Sequence, residues 1–263
     1  MKNSPRNNHS LLITLLLGGA FVWSLTGVPW GSSLVHSGGY QTLVQLTKAM
    51  VTPDVSPEIL LIGLHASWKT LAYATCGMTL AVLIGVPLGV LASGVTFQQS
   101  GNAWLATGFF RPLLSFMRSI HELVWAWLFV AALGLSPLAA IMAIMIPYAG
   151  ILGRIMADLL NDVPEEPLQV LQSSGANPLQ TFLYGRLPHA LADIVSYTLY
   201  RFECSVRSAA IMSFVGLGGI GYQIQISLDD LHFSETWTFI YMLIALILVI
   251  NIWSSETRKA LTQ

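Results

Sequence analysis

The chain has 263 residues, of which 54% are hydrophobic and only 10% charged, with a formal net charge of -1. Soluble domains carry about 25% charged residues, so this composition excludes an ordinary soluble domain and describes an all-α, polytopic membrane protein. The few Lys and Arg are thinly spread, which excludes a polyanion-binding surface and any nucleic-acid partner.

Lys2 and Arg6 precede an apolar run from Leu11 to Val28, long enough for one bilayer crossing at about 20 residues. A cleaved signal peptide is the rival reading, but positions 21–30 show no small-x-small cleavage pattern, and Trp23 and Trp30 suit a membrane interface. A retained first span is expected. Residues 29–58 read as an extracytoplasmic loop, with a short amphipathic helix near Thr42–Met50. Lys69 then precedes an uncharged span, Thr70–Ala92, whose Gly85, Pro87 and Gly89 are tolerable in lipid when neighbouring helices satisfy the freed backbone groups.

A polar connector, Ser93–Asn102, leads to an amphipathic stretch, Trp104–Met117, carrying Arg111. The run from Arg118 continues to Leu135 as a third span and puts Glu122 four residues after Arg118. Gly134-Leu135-Ser136-Pro137 is a tight turn into a fourth span, Leu138–Ile155, with Pro147 as a kink. A fifth span is expected over Leu191–Val215 and a sixth over Thr236–Trp253. Cys76 and Cys204 sit in apolar segments as packing residues, and the histidines show no zinc-binding spacing, so no metal is expected.

An even count of six spans puts both termini on one side, where Lys2, Arg6, Arg258 and Lys259 lie, and positive charge marks the cytoplasm. The polar stretch 161–190 follows four crossings and is therefore also cytoplasmic. It reads as a helical run over Leu168–Ser174, a turn at Gly175 and a second run closed by Leu187-Pro188: a protruding elbow suited to docking. The organisation expected is a first helix and extracytoplasmic loop over 1–58, a core over 59–255 and a cytoplasmic tail over 256–263.

The fifth span carries Arg201, Glu203 and Arg207. At 1.5 Å rise per residue, Arg201 falls roughly 15 Å along the expected helix, near the middle of the hydrocarbon core, where an arginine must face a partner or a water-filled path. Glu203 and Arg207 are four apart and can pair; Glu122, with Arg118 beside it, is the acidic partner expected for Arg201. Two readings stay open for these five residues, a packing network between helices and a cationic, substrate-facing path. The following run, Gly216-Leu217-Gly218-Gly219-Ile220-Gly221, has the letters of a nucleotide loop. No βαβ unit surrounds it, so its glycines suit a bend with close helix approach.

The elbow resembles the cytoplasmic loop signature of importer-type ABC transporter permeases: Glu-Ala-Ala, three residues, Gly, nine residues, Ile, one residue, Leu-Pro. With Gly175 as anchor, Leu187 and Pro188 match, whereas Gln169, Val170 and Leu171 stand in place of Glu-Ala-Ala and Gly185 in place of Ile. Glu122-Leu123-Val124-Trp125-Ala126 resembles the phosphonate branch of that family, and Gly-Gly-x-Gly at 218–221 resembles its usual end to this span. The resemblance implies a type I importer permease fold of about six transmembrane helices in a bacterial inner membrane, moving a small anion such as phosphonate, phosphite or phosphate. It implies a second permease chain forming a homodimer, two ABC ATPase subunits that bind the elbows and the ATP, and an extracytoplasmic substrate-binding protein. The chain lacks a Walker A lysine, so it binds no cofactor of its own.

Another small nutrient, such as an amino acid, is the alternative cargo. An intramembrane enzyme would place its polar groups at membrane depth, yet His121, Glu122, Arg201 and Glu203 form no HExxH, GxGD or Ser-Lys arrangement. A passive scaffold would need no elbow.

Overall fold

The computed structural model describes residues 5–28, 30, 31, 38–95 and 103–261. Lys2, most of the polar connector and the last two residues, on which parts of the reading above fall, lie outside the described residues. Every described secondary-structure element is helical: α1 (Pro5–Thr26), α2 (Gly39–Val51), α3 (Pro57–Ser93), α4 (Ala103–Leu105), α5 (Arg111–Ser119), α6 (Glu122–Leu133), α7 (Pro137–Asn161), α8 (Glu165–Ser173), α9 (Pro178–Gln180), α10 (Leu187–Met212), α11 (Ile220–Asp229) and α12 (Phe233–Leu261). Two π-helical stretches, Ala106–Phe110 and Thr181–Arg186, and a 3-10 turn, Ser213–Val215, complete the chain order.

The chain divides into two compact units, residues 1–48 and 49–263. The first holds α1, whose apolar part, Ser10–Thr26, is shorter than the spanning helices of the second. In the second unit α3, α7 and α12 are long and apolar enough to cross a membrane. Two bent pairs bring the number to five: Ala106–Ser119 with Glu122–Leu133 at 84°, and Pro178–Val215 with Ile220–Asp229 at 41°.

Several boundaries differ from expectation: α7 runs on to Asn161 and α12 to Leu261, through most of the expected tail, and three further differences change the reading. Helix α3 starts at Pro57, not at Thr70, because Pro57 occupies a first-turn position where its missing N–H costs nothing; His65 and Lys69 therefore lie inside the helix. The third expected span is broken. Ile120 is extended, and the His121 ring accepts the N–H of Leu123 as the N-cap of α6, so Arg118 lies in the last turn of one helix and Glu122 begins another. The second run of the elbow does not close at Leu187-Pro188. The π turn leads straight into α10, with Pro188 in its first turn, and Nδ1 of His189 lies 2.8 Å from the Gly185 carbonyl. Elsewhere Gly134 (φ +72°) and the Ser136 N-cap form the expected turn, and α7 continues through Pro147 as one helix.

The core of the second unit lies between α3, α6, α7 and α10, with Tyr73, Ala74, Met78, Ile144, Tyr148 and Val206 buried together. Small residues bring α3 and α7 into backbone contact. A Cβ at Gly85 would stand 2.8 Å from the Ala149 carbonyl oxygen, and one at Gly89 2.7 Å from that of Gly153. Only glycine permits so close an approach.

Candidate coupling elbow and charge network

Helix α8 starts after Pro164, with Glu165 and Glu166 in its first turn, where carboxylates favour the positive end of the helix dipole. It stops at Gly175, whose φ is +87°. The Ala176 N–H donates to the Leu171 carbonyl at 3.1 Å and the Gly175 N–H to that of Gln172 at 3.0 Å, the paired bonds of a Schellman turn. Asn177 then opens α9 through a reciprocal capping box with Gln180, at 2.8 and 2.9 Å.

One face of this unit is anchored. Leu168 is buried with Met156, Leu160, Val163 and Ala190, and the buried Arg186 donates to the Leu160 carbonyl at 3.0 Å. Gly185 is buried beneath α8; a Cβ there would lie 2.7 Å from Leu168 Cδ2 and 3.0 Å from Leu171 Cδ1. The departure from Ile at this position thus has a physical cause: two leucines of α8 fill the space that an isoleucine would take. The opposite face is apolar and open. Val170 is 68% exposed, Leu179 64% and Tyr184 72%, with Gln169 exposed beside them.

The structure separates the five charges that the sequence grouped. Glu203 is buried and ion-paired to Arg207 at 2.8 Å and to Arg258 of α12 at 3.9 Å. Arg201 does not meet Glu122. Its guanidinium donates to the Tyr197 hydroxyl and stacks on the rings of Tyr197 and Tyr200, at 4.9 and 5.6 Å. Glu122 instead accepts from Ser208 at 2.5 Å, and Ser208 also meets the buried Tyr148 hydroxyl at 3.0 Å. The reason is the bend at Ile120, which starts a new helix at Glu122 and turns it toward Ser208, near the C-terminal end of α10; Arg118 is left exposed.

The depth of this network also shifts. Arg258 stands 25 residues beyond Phe233 on α12, roughly 38 Å along its axis, farther than the roughly 30 Å of a hydrocarbon core. Glu203 and Tyr200, which touch Arg258, therefore sit level with the end of α12 rather than with its middle.

Between α10 and α11 the chain turns through Gly216, Gly218 and Gly219, with φ of +88°, +77° and +104°. The Ile220 N–H donates to Thr70 Oγ1 at 2.9 Å, which ties this break to α3. A Cβ at Gly221 would strike the Ala210 carbonyl oxygen, so α11 packs against α10 without room for a side chain.

A family model described as binding-protein-dependent transport system inner membrane component matches residues 85–255, which take in α7, the elbow, α10 and the glycine break. The chain belongs to this family. It is the permease subunit of an ABC importer, a multi-pass membrane protein that works with an ATPase and a substrate-binding protein and is not itself an enzyme. The permease is 30% identical over 242 residues, covering 90% of this chain and 83% of the relative, to the putative phosphite transport system permease protein HtxC of Stutzerimonas stutzeri. It is 27% identical over 226 residues, 84% of this chain and 78% of the relative, to the phosphite transport system permease protein PtxC of the same organism. An inward-facing structure of the MetNI methionine ABC transporter superposes on 80% of the permease and all of the matched chain, with a TM-score of 0.68 at 23% identity; that likeness concerns the fold alone.

Several residues of the permease that organise these sites escaped the sequence reading: Arg186 under the elbow, Tyr197 and Tyr200 around Arg201, Ser208 between Glu122 and Tyr148, and Thr70 at the glycine break. Tyr197 was legible, since it lies four residues before Arg201 on one helical face. The others depend on contacts between distant segments.

Proposed function

We propose that the permease imports a small phosphorus oxyanion, phosphite, phosphonate or phosphate, as one of two identical membrane chains. Each docks through its elbow on one of two ATPase subunits, which bind the ATP, and receives its cargo from the binding protein; both termini face the cytoplasm. The observation that carries the coupling role is the two-faced elbow. Its inner face is fixed to α7 and α10 by Leu168, Gly185 and Arg186, while Val170, Leu179 and Tyr184 stay open. An amphipathic helix with a free apolar face suits recognition in a groove, and its rigid attachment lets a partner's motion reach the spans.

The cargo class is supported by the two phosphite permeases, which the chain resembles over most of their length. Arg201, Glu203 and Arg207 serve as packing groups in this reading, because tyrosine rings and neighbouring charges already satisfy them; the glycines at 216–221 serve as the hinge of the broken span. The test is uptake of labelled phosphite, phosphonate and phosphate into vesicles holding the permease with its ATPase and binding protein. Wild type is expected to accumulate at least one of them with ATP. Tyr184→Asp should keep folded yield while losing ATPase co-purification and uptake. Uptake of an amino acid but none of the three anions would overturn the cargo; intact ATPase binding by Tyr184→Asp together with Val170→Asp would overturn the docking face.

A further inference from the structure

We propose that the cleft between α3 and the start of α11 is the anion-binding site of the permease, with Lys69 as its charged group; the inference rests on the cargo class proposed above. The cleft has a volume of about 660 Å³ and is lined by His65, Lys69, Gly218, Gly219, Tyr222 and Gln223 among apolar residues of α3. That size suits a small ligand with part of its hydration shell, since ligand pockets run about 300–1,000 Å³.

Lys69 differs from the arginines of the α10 network. Among the described residues no carboxylate lies within ion-pair distance of it, and its amine stands over the Tyr73 ring, 5.8 Å from the centroid. Its Nζ rests against Gly218, where a Cβ would come within 2.5 Å of it. The absence of a side chain at 218 thus leaves the amine its place in the cleft.

Depth makes this unusual. Asp54 bonds to Ser234 at 3.3 Å and accepts from Thr238 at 2.7 Å, so α3 and α12 begin level. Lys69, twelve residues past Pro57, lies about 18 Å along α3, near the middle of a roughly 30 Å core. A cation held there needs a counter-charge or a water-filled path, and among the described residues no carboxylate pairs with it. A transported oxyanion meets that need, with the Tyr222 hydroxyl, the Gln223 amide and His65 as hydrogen-bonding groups. The Ile220 N–H, taken by Thr70, is not free to bind it, so the attraction falls to Lys69.

Inorganic phosphate is the probe for binding, followed by ³¹P line broadening on the full transporter in nanodiscs, with uptake of phosphite measured in parallel. Lys69→Met, which keeps the apolar stem, is expected to reduce broadening and uptake at least tenfold while the complex still assembles; Lys69→Arg should retain part of both. Equal broadening in wild type and Lys69→Met would overturn the site even where wild-type uptake proceeds, and loss of wild-type uptake with Lys69-dependent broadening intact would instead count against the cargo. Should Lys69→Met fail to assemble, Gln223→Leu supplies the comparison: unchanged broadening would overturn the site. Zwitterionic and phosphatidylglycerol nanodiscs separate the two sources of phosphate; broadening abolished by phosphatidylglycerol would assign the cleft to a lipid headgroup and overturn its role in transport.

Discussion

Replacing Gly175 distinguishes a conformational constraint from a steric one. A Cβ added there meets nothing within 4 Å, yet the backbone has φ of +87° and closes the Schellman turn through Leu171 and Gln172. An L-residue in the left-handed region costs roughly 1–2 kcal/mol, while side-chain bulk adds little in open space. If the ATPase binds only the turned elbow, that strain weakens binding by about 5- to 30-fold. Alanine should bear most of this cost. Asparagine, which accepts the left-handed region more readily, should stay within a few-fold of wild type, and valine should be weakest because its branched Cβ further restricts the backbone. Titration of purified ATPase against permease in nanodiscs measures the series, with folded yield as control. Alanine binding as tightly as glycine would refute the reasoning, and so would asparagine weaker than alanine.

Gly185→Ile, the residue of the family signature, should destabilise the elbow by about 1–3 kcal/mol through overpacking against Leu168 and Leu171, seen as faster proteolysis of the loop; adding Leu168→Ala should restore part of the protection. Ser208→Ala should lower thermal stability by about 1–3 kcal/mol, because Glu122 and Tyr148 lose their shared partner. Arg201→Lys keeps the charge but loses the flat stack on Tyr197 and Tyr200, so folded yield should fall about as far as in Arg201→Gln. Yield preserved in Lys but lost in Gln would favour a purely electrostatic role.

The apolar runs of α3, α7 and α12, the Gly134–Pro137 turn, the elbow and its Gly175 turn were legible because each is local: periodicity, a glycine, or a proline in a first turn. The break at Ile120 was hidden in an apolar run whose hydrophobicity continues across it, and only the His121 cap marks where the helix restarts. The Glu122 and Arg201 partners depend on which faces of separate helices meet, which spacing along one chain does not encode. Lys69 was read as the flank of a span because the start of α3 was placed too late; Pro57 was the available signal. The π turn before Pro188 left no compositional mark.

The glycine contacts between α3 and α7 have a mechanical consequence. Two helices held backbone to backbone at Gly85–Ala149 and Gly89–Gly153 have no cushion of flexible side chains to absorb shear, so they tilt together as one beam. Helix α7 runs into the elbow at one end, and α3 bears Lys69 toward its other end. If the elbow docks the ATPase and the cleft holds the anion, as proposed above, a motion imposed on the elbow would reach the cleft some 30 Å away without any chain of rotamer changes, counting about twenty residues of α3 from Gly89 back to Lys69 at the helical rise. Widening that seam by Gly85→Leu should uncouple ATP turnover from uptake while leaving both ends of the beam intact.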